Sequence, residues 1–178
     1  MESTIKIFIQ KPYTKSKEWN EVKAISEKFI EFLSQPQNKK KITECHIPGA
    51  QSQRIEEVIT PFAEMLGFTS QAKKLFQKYK VSKLRPDYYL SLLSTGIIIE
   101  VERGQTSQNN AALKDLWKAH ICEEAHYLFL FVPMELRQDK NNPNKISGRP
   151  FNETVNRLST FFVEENYTNV RGLVIFGY

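Results

Sequence analysis

Two cysteines, Cys45 and Cys122, are all that this chain of 178 residues carries, which excludes a disulfide framework. No apolar run approaches the roughly 20 residues that a membrane-spanning helix needs. The first ten residues contain Glu2 and Lys6 and lack the apolar segment of a secretory leader. A cytoplasmic protein with no membrane partner is therefore expected. Internal repeats and low-complexity linkers are missing as well, so a single domain over 1–178 is expected. Cys45-His46 and His120-Ile121-Cys122 lack the paired spacings by which four ligands gather around zinc. Buried thiols and core histidines account for them better.

Hydrophobic residues make up 40% and charged residues 25% of the chain, a balance that folds rather than stays disordered. The net charge of +5 suits a polyanionic partner. Lys73, Lys74, Lys78, Lys80, Lys83 and Arg85 crowd into one stretch. They form either a solvated helical face or a surface that meets phosphates.

Ile5, Ile7 and Ile9 give Thr4 to Ile9 the alternation of a short strand. Ser16 caps a predicted helix reaching about Leu33, with Trp19, Val22, Ile25, Phe29, Ile30 and Leu33 inward. The Pro, Asn and Lys content of Gln35 to Lys41 predicts a loop. Gln51 to Leu66 reads as a helix stopped by Gly67, and Pro61 is expected to kink or divide it. A short helix is expected over Lys73 to Lys80. Strands follow at Arg85 to Leu92 and Gly96 to Glu102, then a helix at Asn110 to Glu124 with Leu113, Leu116, Trp117 and His120 on one side. Tyr127 to Val132 has the length and apolarity of a buried strand. Arg137 to Arg149 reads as a polar loop, Phe151 to Glu164 as a helix and Gly172 to Phe176 as a last strand. The order implies a mixed α/β architecture.

The strand Ile97-Ile98-Ile99-Glu100-Val101-Glu102 ends in two acids that share one face, because strand side chains alternate. A buried face seldom holds two anions without a cation. Either the strand emerges into solvent at Glu100, or something positive sits there. A hairpin with a loop at Leu93 to Gly96 pairs Leu92 with Ile97, and so sets Tyr89 opposite Glu100 and Asp87 opposite Glu102. Any loop of even length keeps Asp87 on the face of both glutamates. Opposed side chains stand roughly 5 Å apart, and like charges there repel. Three such acids suit a hard divalent cation.

Pro86-Asp87 followed by an apolar strand with Glu100-x-Glu102 resembles the Pro-Asp…(Asp/Glu)-x-Lys signature of the PD-(D/E)XK, restriction-endonuclease-like nucleases. Glutamate in place of the lysine resembles the variant of BamHI-type restriction enzymes. The resemblance implies a core of mixed β-sheet flanked by helices over about 51–132, with 1–40 and 150–178 as additions. It implies a catalytic set of Asp87, Glu100, Glu102 and a glutamate from the preceding helix, where Glu56 matches better than Glu57. Asp87, Glu100 and the Val101 carbonyl would hold Mg²⁺, or Mn²⁺ in its place, while Glu102 serves as general base or second-metal ligand. Lys83, Arg85, Arg103, Gln105 and Lys118 are the implied DNA contacts, and Arg103 has an ion pair with a neighbouring acid as its equal alternative. The implied activity is an endonuclease acting on DNA, of restriction type or of repair, junction or mobile-element type. A homodimer is the assembly that symmetric duplex cleavage favours. Asn141, Asn142 and Asn144 offer base-reading groups in a loop. The alternatives are a nucleic-acid-binding module that does not cleave, and an interaction protein with exposed acids.

Overall fold

Six strands form one mixed sheet in the order β1-β6-β5-β4-β3-β2: β1 (Thr4–Ile9), β2 (Thr69–Ser70), β3 (Tyr88–Ser91), β4 (Gly96–Val101), β5 (Tyr127–Val132) and β6 (Gly172–Gly177). The computed structural model describes residues 4–47, 53–81, 84–102, 110–137 and 145–178. β4, β5 and β6 run parallel, while β1 joins β6 and β3 joins β4 antiparallel. Every residue of the three central strands is buried. That is why they read as continuous apolar runs rather than alternating ones. β1 lies at the sheet edge with Lys6 exposed on it, a charge that discourages pairing with another chain.

Helices cover both faces. α1 (Lys17–Ser34), α2 (Pro36–Cys45) and α3 (Gln53–Met65) pack their apolar sides with Ile97, Ile99, Phe129 and Phe176. α4 (Ala111–Ile121) and α5 (Pro150–Ser159) pack with Ile98, Leu128, Leu130 and Ile175 on the other face. The layers interlock around Phe29, whose ring meets those of Phe62, Phe68, Phe129, Phe131 and Phe176 at centroid distances of 5.3–6.1 Å. Among the described residues no helix is long and apolar enough to cross a membrane.

The expected cap is present: Ser16 Oγ accepts the Trp19 N–H at 3.1 Å. Gly67, at φ +91°, ends α3, and the Phe68 N–H reaches back to the Ala63 carbonyl, a glycine-terminated helix end. Several expectations need correction. Gln35 to Lys41 is no loop but the start of α2, because Pro36 at the first helical turn preorganises φ where no N–H is needed. Pro61 does not divide α3, which runs through it to Met65. The stretch after Ala72 forms only a 3-10 turn, Lys73–Phe76. α5 stops at Ser159 and gives way to two 3-10 turns. The two chain ends join the same sheet, with β6 beside β5 and β1 beside β6.

Candidate active site

The β3-β4 hairpin decides which acids meet. Tyr88 pairs with Ile99, Leu90 with Ile97 and Ser91 with Gly96, and the Leu92 N–H donates to the Thr95 carbonyl around a turn at Leu93-Ser94. The expected register is thus wrong by two residues: one further step sets Asp87 across from Glu100, not Glu102. A shift by an even number preserves the face, because side chains alternate with period two. Asp87, Glu100 and Glu102 consequently share the side on which α4 lies. Gly96, paired with Ser91, lets neighbouring backbone approach closely. A Cβ there would come within 2.6 Å of the Leu90 carbonyl oxygen and 2.9 Å of that of Glu124.

β3 begins only at Tyr88, later than the expected Arg85. Beyond the ladder's last pair, Asp87 Oδ2 accepts the Val101 N–H at 2.8 Å, so a side chain continues the pairing that the backbone drops. Glu102 lies one residue past β4. Its N–H donates to the Phe131 carbonyl, and its own carbonyl accepts from the Tyr178 hydroxyl at 2.6 Å.

α4 completes the cluster, in a rotation that differs from expectation. Its buried residues are Ala112, Asp115, Leu116 and Ala119, while Trp117 is 45% exposed. The predicted stripe of 113, 116, 117 and 120 is displaced by one residue. Two small alanines bring the helix onto the sheet, and the turn carries Asp115 inward. Glu100 and Asp115 are only 4% and 5% exposed. Lys118 Nζ stands 2.7 Å from Glu100 Oε1 and 3.6 Å from Asp115 Oδ1, its side chain 14% exposed. So the positive charge that β4 called for is present, and it comes from the protein. The compensation is incomplete. Glu100 takes the Lys118 ammonium, whereas the Asp115 carboxyl is shared between the more distant Lys118 and the carboxyl of Glu102.

Electrostatics follow from this crowding. Burial, with Asp115 and Asp87 adding repulsion, pushes the Glu100 carboxyl well above the usual range against the pull of Lys118. Burial and then Asp115, whose carboxyl meets that of Glu102, push Glu102 up to about 8. Burial raises Asp115 to about 6 although Lys118 opposes it. Asp87 is raised by burial, with the Val101 N–H working the other way. For Lys118 burial favours the neutral amine, but Glu100, Asp115 and Asp87 outweigh it and hold the ammonium above its ordinary value. Two carboxyls in contact tolerate each other only with a proton or a cation between them.

The other predicted residues fall differently. Glu56 lies on α3, whose apolar side packs on the other face of the sheet; its carbonyl accepts from Thr60 and from the Tyr88 hydroxyl, which is raised by burial and then by the charges of Glu56 and Asp87. Arg85 is exposed and close enough to Asp87 to favour its ionised form. Lys78 is engaged by Glu123 and lies over the Tyr79 ring. Lys83, Arg103 and Gln105 lie outside the described residues, as do Asn141, Asn142 and Asn144. Both cysteines are free thiols, and His120 Nδ1 accepts the Asn169 N–H. Among the described residues no group of three or more His, Cys, Asp and Glu side chains stands ready to hold a metal. At the carboxylate cluster the Lys118 ammonium stands among the acids. Carboxylate oxygens are the ligand type of a hard divalent cation, but here they are engaged by Lys118 and by one another.

Asp115 is the residue that reading the sequence missed. Its signal is present but faint: an acid at the second position of an Ala112, Asp115, Leu116, Ala119 stripe with core spacing. No protein-family model matches this chain, and no curated protein does.

Proposed function

We propose that this protein is a divalent-metal-dependent endonuclease that hydrolyses DNA phosphodiester bonds, with a restriction-endonuclease-like core and a cytoplasmic place of action. One observation carries the reading. Asp87, Glu100 and Glu102 share the face at the end of β4, and α4 adds buried Asp115 and Lys118 to them. The hairpin β3-β4 followed by α4 and the apolar β5 also fits the mixed sheet flanked by helices that the sequence resemblance implies. Stability gives no reason to crowd four acids, two of them buried, beside one lysine, since well-packed apolar residues serve as well or better.

In this reading Asp87 and Glu100, with the carbonyl of Val101, hold Mg²⁺ or Mn²⁺. The ion's chemistry is to polarise a phosphoryl oxygen and lower the pKa of a bound water. The residues do the rest. Asp87, tied to the Val101 N–H, and Glu100, fixed on a buried strand, keep their carboxylates in place. Glu102, with its raised pKa, exchanges a proton near neutrality, as a general base does. Lys118 offers an ammonium to a phosphate. Arg85, with Lys83, Arg103 and Gln105, contacts the DNA backbone, so that affinity falls with salt.

The test is incubation of supercoiled plasmid DNA with and without Mg²⁺. Nicked or linear product that needs the metal is expected, and Glu100→Gln lowers the rate by about a hundredfold or more, roughly 2.7 kcal/mol of barrier. Discrete bands would indicate site specificity and a smear none. Intact plasmid would overturn the reading. A second reading, a DNA-binding module that does not cleave, is favoured by the Lys118 ion pair, which already neutralises part of the cluster. It expects DNA binding that survives Asp87→Ala and no metal-dependent product.

A further inference from the structure

Trp117 is the large side chain of α4 that neither the core nor the carboxylate cluster uses. It is 45% exposed, while Asp115 and Leu116 before it are buried. Its surroundings are charged rather than apolar. Lys114, three residues back, and Ile121, four residues on, share its side of the helix. Lys114 is exposed and enters no ion pair among the described residues. A step of about 100° around the helix leads on to Lys118, whose ammonium reaches Glu100. Around the helix, two lysines therefore lie between the indole and the carboxylates.

Both ends of α4 add positive charge. The Tyr79 hydroxyl donates to the Ile121 carbonyl at 2.8 Å, which holds the basic stretch against the helix end. Lys74 and Lys80 in that stretch are exposed, and Lys78 engages Glu123, an acid just beyond the helix. At the other end Arg157 of α5 donates to the side chain of Asn110, the residue that begins α4. An exposed aromatic ring thus stands among cations.

We infer that Trp117 is a stacking platform for an unpaired base of a DNA strand, whose phosphates Lys114 and the basic stretch neutralise. This rests on the DNA-binding part of the reading above and deepens it by naming the form of the substrate, single-stranded or locally opened. Charge complementarity decides the occupant. A DNA strand repeats a phosphate and a flat base at every nucleotide, which matches an ammonium beside an indole, and any base offers a π-face. A second copy of this chain meeting it across a twofold axis would set lysine against lysine. In an intact duplex the bases are stacked on one another, and an indole finds no face until one leaves the stack.

The chain has two tryptophans, and the other, Trp19, is 3% exposed and stacked on the Tyr127 ring. Changes in indole emission therefore report Trp117. The wild type is titrated in EDTA with a short oligothymidylate and with a duplex of equal length. The oligothymidylate is expected to quench the emission, less so as salt rises, and the duplex to quench more weakly. Absent quenching, or quenching by the duplex that equals or exceeds it, overturns the inference. Anisotropy of a labelled oligothymidylate reads the variants. Trp117→Ala is expected to lose about tenfold in affinity, whereas Trp117→Phe, which keeps an aromatic face, stays within about threefold of the wild type. Unchanged affinity in Trp117→Ala overturns the platform, and so does an equal loss in Trp117→Phe. Emission that shifts with protein concentration before DNA is added would assign the surface to a second copy instead. Quenching and the alanine loss in a protein that leaves plasmid intact would uphold the platform and remove the nuclease reading. Metal-dependent plasmid cleavage without quenching would do the reverse.

Discussion

Asp115 shows how one residue changes the meaning of its neighbours. Glu100 and Glu102 on a strand could have ended in solvent, but Glu100 and Asp115 are buried together and Lys118 stands between them. The acid missing from the sequence-based set is therefore the one that makes the site a closed cluster. Asp115→Asn tests its place. The asparagine amide donates to Glu102 where the acid repels it, so the metal-free variant should melt higher than the wild type at about pH 8. A gain of about 1 kcal/mol is expected. The same change should weaken cleavage by about tenfold to a hundredfold. A variant that melts lower would mean that Asp115 serves mainly to anchor Lys118.

At the scale of elements, parity mattered more than register. The β3-β4 turn sits at Leu93-Ser94, two residues from the expected pairing, and Asp87 kept its face because both alternatives have an even loop. An odd slip would have sent it toward α1 and α3. Gly96 allows a close backbone approach beside the observed turn. In Gly96→Ala the new Cβ meets the carbonyl oxygens of Leu90 and Glu124. Chemical denaturation should show a loss of about 1–3 kcal/mol, and no loss would mean that the hairpin reshapes easily. α4 was legible as a helix, though not in its rotation. Two stripes, 112-115-116-119 and 113-116-117-120, have the same spacing, and the second is the more apolar. The sheet selects the first because alanines allow close approach and because Glu100 attracts Lys118. α2 escaped notice since its sequence is polar, and only Asn38 and Ile42 are buried in it.

The whole molecule carries the cost of its site as a dependence on pH. The folded protein raises Glu102 from 4.5 to about 8 and Asp115 from 3.8 to about 6, so between those limits it binds protons that the unfolded chain has lost. Stability from these groups is fully present below the unfolded values and falls as pH rises through the folded ones. Lys118, raised as well, follows the same sign at higher pH and loses its contribution only above 10.5. The melting temperature in EDTA should accordingly decline from about pH 5 to about pH 8, and Mg²⁺ should restore more of it at the upper end. A flat profile would mean that the carboxylates are not crowded in solution. The central strands, most helices and the pairing of acids on one strand face were written in local pattern: apolar runs, caps, a stop glycine and period-two alternation. These need only neighbouring residues to be read. The rotation of α4, the burial of Asp115 and the ion pair of Lys118 were decided by the packing of helices on a sheet. Their energies arise between segments far apart in the chain, where no local pattern reports them.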